Sequence, residues 1–398
     1  MLSGGSMLRT HPRTPAQNSA EPGSALPQPT AHSPHPHKAL AFPMAKLTIQ
    51  DLQRLPKTDL HVHLDGSLRI PTILELAERQ KVKLPADSVD GLRPFVEVGD
   101  DCKSLVDYLR AFDVTLSVMQ TYESLVRTSF ELAEDAAKEN VRYMEVRYSP
   151  ILHQQNGLTL HAIVQAVLEG LAQAERKYSI KTGVILCGMR HISPDISLRL
   201  ADLTVAFKNK GVVGFDLAGA EENFPAKRHK DAFGRVLQNN INCTLHAGEA
   251  YGPESIHQAI HLCGAHRIGH GVRLIEDGDL LNYVNAHRIP LECCPSSNVQ
   301  TKAVKKMADH PIRLFYDLGL RVTVNTDNRM VTGTTVSREF QVIHEELGFS
   351  LEEIEEVIIM GFKSAFLPYA LKRALLAEVV HELKAFKPGS LESRKEQL

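Results

Sequence analysis

No window of this chain approaches the ~18 consecutive apolar residues that a membrane-spanning helix needs, so nothing in it is built to cross a bilayer. Charge of one sign is equally scarce. A formal net charge of -2 over 398 residues gives no electrostatic reason to expect nucleic acid or a membrane surface as a partner. The six cysteines (Cys102, Cys187, Cys243, Cys263, Cys293 and Cys294) contain no C-x-x-C spacing, and they read as reduced thiols of a cytoplasmic protein. No G-x-G-x-x-G or P-loop opens a helical segment, which counts against an open, doubly wound sheet.

The first 43 residues lack something else, an aliphatic period. Met1 to Pro43 is rich in Pro, Ser, Ala and His and cannot support a core, so it reads as a disordered extension. It has no apolar h-region of the kind that marks a secretory signal. The expected organisation is therefore an extension over 1–43, one domain over 44–386 and a polar tail over 387–398.

What is present begins with short runs of β-branched and aliphatic residues. They are Lys57–His61, Val141–Tyr148, Thr182–Met189, Val212–Leu217, Ile241–His246, Arg267–Ile268, Ile289–Cys293 and Arg321–Asn325. Helix-like segments alternate with them: Leu158–Tyr178, Ser197–Lys208, Lys230–Asn239, Pro253–Leu262 and Leu280–Ala286. Strand and helix in alternation imply right-handed crossovers and a parallel sheet, and eight repeats imply a closed (β/α)8 TIM barrel. The long interval after the first run must hold extra helices, including Ile70–Gln80 and Cys102–Met119, over the mouth of the barrel. On it Tyr108, Leu109 and Phe112 share a helix face, as core packing or as a lid over an apolar ligand. Helices fill the C-terminus, with Ser350 and Glu353 forming a capping box for Leu351–Met360.

Barrel sites form at the C-terminal ends of the strands, so the residues that end each run carry the chemistry. The first run ends in His61, His63 and Asp65, which alternate onto one face where apolar residues are usual. Two histidines so placed are either satisfied at a strand edge or grip one metal ion. Later runs end in Asp216-Leu-Ala-Gly219, His246-Ala-Gly-Glu249, Gly269-His270-Gly271 and Asn325-Thr-Asp327-Asn328. Histidines and a carboxylate facing one mouth make a nitrogen-and-oxygen shell suited to a divalent ion, zinc above all, with a position for water. The fourth run ends without the lysine that two-metal barrels often use, which favours a single ion. Gly219 is either a plain turn or a point of close backbone approach to a flat ligand. Glu249 is placed to shuttle a proton, and His270 to orient or deprotonate water.

Together these segments resemble the adenosine deaminases of the amidohydrolase superfamily. The resemblance rests on His61-Val-His-Leu-Asp-Gly-Ser67, Asp216-Leu-Ala-Gly219, His246-Ala-Gly-Glu249, Arg267-Ile-Gly-His-Gly271 and Asn325-Thr-Asp327. Tyr143-Met-Glu-Val-Arg-Tyr-Ser-Pro150 and Ser364-Ala-Phe-Leu-Pro368 extend it, so it runs from about Leu55 to Pro368. It implies one Zn2+ per subunit, held by His61, His63, His246 and Asp327. It implies hydrolytic deamination of adenosine, and of 2′-deoxyadenosine, to the inosine nucleoside and ammonia in purine salvage. In that chemistry Glu249 would pass a proton to the ring nitrogen beside the amino-bearing carbon, and His270 would position and activate the water. Gly219 would meet another ring nitrogen through its backbone, while His63 and Asp65 approach the ribose. Tyr108, Leu109 and Phe112 resemble the family's lid helix. Two positions depart from the family pattern: Asn328 and Ala220 stand where aspartates are frequent. An amide at Asn328 can donate to the imidazole-side nitrogen of a purine. A deaminase of adenine or another aminopurine and a non-catalytic purine-binding barrel are the alternatives. The second zinc deaminase architecture needs H-x-E with P-C-x-x-C, which Cys293-Cys294-Pro295 does not supply.

Overall fold

A computed structural model of the chain describes residues 46–99, 108 and 111–389. The expected N-terminal extension, Leu109, the start of the Cys102–Met119 segment and most of the polar tail lie outside the described residues.

Eight strands form: β1 (Lys57–His63), β2 (Val141–Tyr148), β3 (Lys181–Met189), β4 (Val212–Ala218), β5 (Asn242–Ala247), β6 (Arg267–His270), β7 (Leu291–Cys293) and β8 (Val322–Val324). Each pairs in parallel with the next, in chain order, as the alternation of strand and helix demands. The helix Leu160–Lys177 shows how the outer layer is made. Thr159 caps its first turn, and Ile163, Val167, Leu171 and Ala174 line the face turned to the barrel. The expected capping box at Ser350 and Glu353 is present, but its helix continues to Ser364.

The strands differ from the sequence-based ranges by one or two residues at either end; β7 begins only at Leu291 and β8 stops at Val324. β1 runs on to His63 and β6 to His270. Apolar patterning stops where polar site residues begin, whereas the backbone ladder continues regardless of the side chains it carries.

The seam between β8 and β1 is closed by the residues that follow β8. Asp327 forms a parallel bridge with Val62: its N–H donates to His61 O (2.8 Å) and its carbonyl accepts from His63 N–H (2.7 Å). Asn325 Oδ1 accepts from Leu60 N–H (2.8 Å), and Thr326 Oγ1 donates to Asp59 (2.6 Å). Closing the barrel therefore sets Asp327 beside the two histidines of β1.

Below the mouth the barrel interior is charged rather than apolar. Arg147, Asp216, Glu145, Arg267 and Glu292 are all buried. Arg147 donates to Asp216 (3.0 Å) and Glu292 (2.8 Å), and Arg267 donates to Glu292 (2.6 Å) and to Glu145. Removing one member would strand a buried charge, at a cost of about 3–5 kcal/mol. The five described cysteines are free and buried. Among the described residues no helix is long and apolar enough to cross a membrane.

Candidate active site

Three imidazoles converge at the strand ends. His61 Nε2 and His63 Nε2 each lie 3.1 Å from His246 Nε2. Asp327 Oδ1 stands 3.5 Å from His61 Nε2 and 3.4 Å from His63 Nε2. Gly269, on the neighbouring strand, leaves the room this needs, since a Cβ there would meet His61 Cε1 at 3.0 Å. The outer nitrogens of two of the rings face carboxylates: His61 Nδ1 is 2.8 Å from Glu292, and His246 Nδ1 is 3.0 Å from Asp216.

Those carboxylates decide where the ring protons lie. Burial opposes the charge of both, but His246 and Arg147 beside Asp216, and Arg147 and Arg267 beside Glu292, hold them ionised and well below the usual carboxylate range. Each therefore accepts an Nδ1–H, leaving lone pairs on the Nε2 atoms that face one another. Lone pairs at 3.1 Å repel unless positive charge lies between them. A proton on His246 Nε2 could bridge one such contact, and Asp216 does raise the pKa of His246 against the opposing effect of burial. One proton cannot serve three nitrogens and an oxygen at once. Tetrahedral ligands about 2.0–2.1 Å from a zinc ion sit roughly 3.3 Å apart, close to the separations found here, so these residues fit a zinc ion. His61, His246, His270 and Asp327 also offer ligand atoms within 4.8 Å of one another. His63 has the shorter contacts to His246 and Asp327, whereas His270 engages Glu249 and Asn298 instead.

Glu249 is buried one turn of loop beyond β5. Thr301 Oγ1 donates to its Oε1 (3.0 Å), and its Oε2 lies 3.6 Å from His270 Nε2. Burial raises its pKa, partly offset by His270. The loop is held by a residue that sequence reasoning passed over. Glu221 accepts the backbone N–H groups of Gly248, Glu249, Ala250 and Tyr251 at 2.7–3.0 Å, a nest of four donors around one carboxylate. Two of the site residues sit in left-handed backbone, His270 at φ 62° and Asp327 at φ 60°, a conformation uncommon outside glycine and found where surrounding contacts enforce it.

These groups open into a cavity of about 240 Å3. Asp65, Gly219 and Asn328 line it together with His63, Glu249 and His270, and Tyr108 and Phe112 contribute apolar wall. Tyr108 is buried, its hydroxyl 2.7 Å from Thr332 Oγ1, so it is wall and core at once. Asp65 Oδ1 and Asn328 Oδ1 are buried without a hydrogen-bond partner among the described residues, and burial raises the Asp65 carboxyl to about 7. Ala220 is not part of the lining. Gly219 has φ 91°, and an added Cβ would meet Met189 Cε at 3.1 Å and His191 Nδ1 at 3.2 Å. Gly219→Ala is therefore expected to destabilise the fold by about 1–3 kcal/mol and to raise KM more than it lowers kcat; thermal unfolding beside steady-state kinetics checks both.

Every candidate from the sequence that falls within the described residues lines this cavity except His61, which is fully buried behind it against His246. The partners that hold them were not foreseen: Arg147, Glu292, Glu221, Thr301 and Ser297, whose hydroxyl donates to Asp327 Oδ2 at 2.6 Å. The available signal was charge inside apolar strand runs at Arg147 and Glu292; Glu221 carried none.

A sequence profile of the family described as "Adenosine deaminase" matches residues 56–382. "Adenosine deaminase 1" of Streptomyces coelicolor is 44% identical over 364 residues, 87% of this chain and 90% of that protein. "Probable adenosine deaminase" of Dictyostelium discoideum is 42% identical over 327 residues, 82% of this chain; the match spans only 42% of that longer protein. Among solved structures, the adenine deaminase of Arthrobacter aurescens superposes with a TM-score of 0.78 at 30% identity, covering 83% of this chain and 99% of that one.

Proposed function

The chain belongs to the adenosine deaminase family, and from that membership we propose that it hydrolyses the exocyclic C–N bond of adenosine, giving inosine and ammonia. The same cavity would take 2′-deoxyadenosine. The observation that carries the reading is the meeting of three imidazole nitrogens and the Asp327 carboxylate beside Glu249 and His270, at a cavity that all of these residues but the buried His61 line.

His61, His63, His246 and Asp327 would hold one Zn2+ per subunit. When bound in such a set, zinc lowers the pKa of a water from about 15.7 towards ~7 and so makes a nucleophile available at neutral pH. Glu249 delivers a proton to the ring nitrogen beside the amino-bearing carbon, and burial, which raises its pKa, favours the protonated carboxyl. Thr301 fixes the direction of the carboxyl through Oε1. His270 orients the water. The water's oxygen forms the new C–O bond while one of its protons restores the Glu249 carboxyl; the other passes to the amino group, which leaves as ammonia when the C–N bond breaks.

Gly219 approaches a ring nitrogen through its backbone, and Asn328 turns its amide to the imidazole side of the purine. Adenine is the second reading, favoured by the likeness to the Arthrobacter enzyme. The unpartnered Asp65 Oδ1 favours a nucleoside, because a ribose hydroxyl can donate to it. A nucleotide is disfavoured: the described lining contains no Lys or Arg and includes the carboxylates of Asp65 and Asp113. The five free, buried thiols suit a reducing, cytoplasmic setting.

The test is the ultraviolet change on mixing zinc-loaded protein with adenosine, adenine and AMP in turn. Adenosine is expected to exceed AMP by more than about 100-fold in kcat/KM, the scale of an uncompensated charge. Turnover of adenine alone would move the substrate, and silence on all three would leave a non-catalytic purine-binding barrel.

A further inference from the structure

Behind His270, on the side away from the cavity, three polar groups stand in line. The backbone N–H of Ile312, first residue of the helix Ile312–Asp317 and so without a partner inside that helix, donates to His310 Nδ1 at 3.2 Å. A backbone amide only donates, so this nitrogen accepts and the His310 proton stands on Nε2. Nε2 lies 3.2 Å from Asn298 Oδ1, which must therefore be the acceptor; the flipped amide would set two donors face to face. With its oxygen so engaged, Asn298 turns Nδ2 to His270 Nδ1 at 3.0 Å. An NH2 group only donates, so His270 Nδ1 accepts and a neutral His270 carries its single proton on Nε2. That is the nitrogen 3.6 Å from Glu249 Oε2. Asn298, His270 and His310 are 0%, 1% and 3% exposed, so solvent does not compete for these contacts.

We propose that His310 and Asn298 are positioning residues that set the tautomer of His270 from the Ile312 backbone, so that His270 presents an N–H donor to the cavity rather than a lone pair. His270 then holds the attacking water by donating to its oxygen, and does not take its proton, which instead replaces the one that Glu249 has given to the ring nitrogen. What His270 faces rests on the deaminase reading; its tautomer does not.

The test uses the zinc-loaded protein with 15N-labelled histidine rings, the His270 signals being assigned by their loss in His270→Gln. The wild-type spectrum is expected to show Nε2 protonated and Nδ1 bare. In Asn298→Asp, a near-isosteric change, a carboxylate accepts from both rings and the His270 proton moves to Nδ1. kcat is expected to fall about 10- to 100-fold with KM nearly unchanged. A wild-type His270 protonated on Nδ1 overturns the proposal, and that spectrum decides even if the variant does not fold. A variant with the shifted proton and undiminished kcat overturns it too. Inertness toward adenosine, adenine and AMP instead sinks the deaminase reading and leaves the ring spectrum to be judged by itself.

Discussion

Glu249→Gln is expected to keep its zinc and lose about 10²- to 10⁴-fold in kcat, the range set by removing a positioned acid. Glu249 stands apart from the four converging metal donors, with one oxygen held by Thr301 and the other turned to His270. Glutamine keeps the size of the side chain and can still accept from Thr301 through its carbonyl oxygen, so packing and the metal site stay intact. What disappears is a proton that can be given up. The sign of the pH dependence in the wild type follows from the same group. Burial raises the Glu249 pKa, so the proton-carrying form persists below that raised value and kcat declines as pH rises through it. Zinc per chain, measured beside the ultraviolet assay, separates the outcomes. Full zinc with normal turnover would refute the assigned role.

Asp327→Asn is the second large effect, and it acts on the metal. The Asp327 carboxylate is buried, yet His61 and His63 hold it well below the usual carboxylate range, so it supplies the set's only negative charge. Its φ of 60° is a conformation that asparagine also accepts, and Ser297, 2.6 Å from Oδ2, can still donate to the amide oxygen. The backbone bridge that closes the barrel is untouched. The variant is thus expected to fold, to retain far less than one zinc per chain after dialysis, and to lose more than about 100-fold in kcat/KM, beyond what removal of a merely supporting residue costs. Zinc added at about 100 times its dissociation constant stabilises the wild type by about 2.7 kcal/mol; the same addition is expected to leave the variant's melting temperature nearly unmoved. Stoichiometric zinc in dialysed Asp327→Asn would remove this residue from the set.

The sequence by itself determined the architecture and singled out the candidate residues of the site. Strand patterning is local, with a period of two, and the eight β-branched runs announced eight strands whose order needed no distant information. The residues at or just past the ends of those runs, His61, His63, His246, Glu249, His270 and Asp327, stood out because polar groups had taken places where burial favours apolar ones. Only the tertiary structure decided how they are held. Glu292 orients His61 across 231 positions of chain, and Arg147 reaches Asp216 across 69. Glu221 gathers a loop that begins 27 residues later. Nothing in a local window separates such a carboxylate from a solvated one, because its role depends on which strand end lies opposite once the sheet has curved and closed. The same holds for His310 and Asn298, whose hydrogen bonds acquire a direction only when the Ile312 amide is set against them. Residue type is written locally, whereas proton position and ligand geometry arise from contacts that exist only after β8 has met β1.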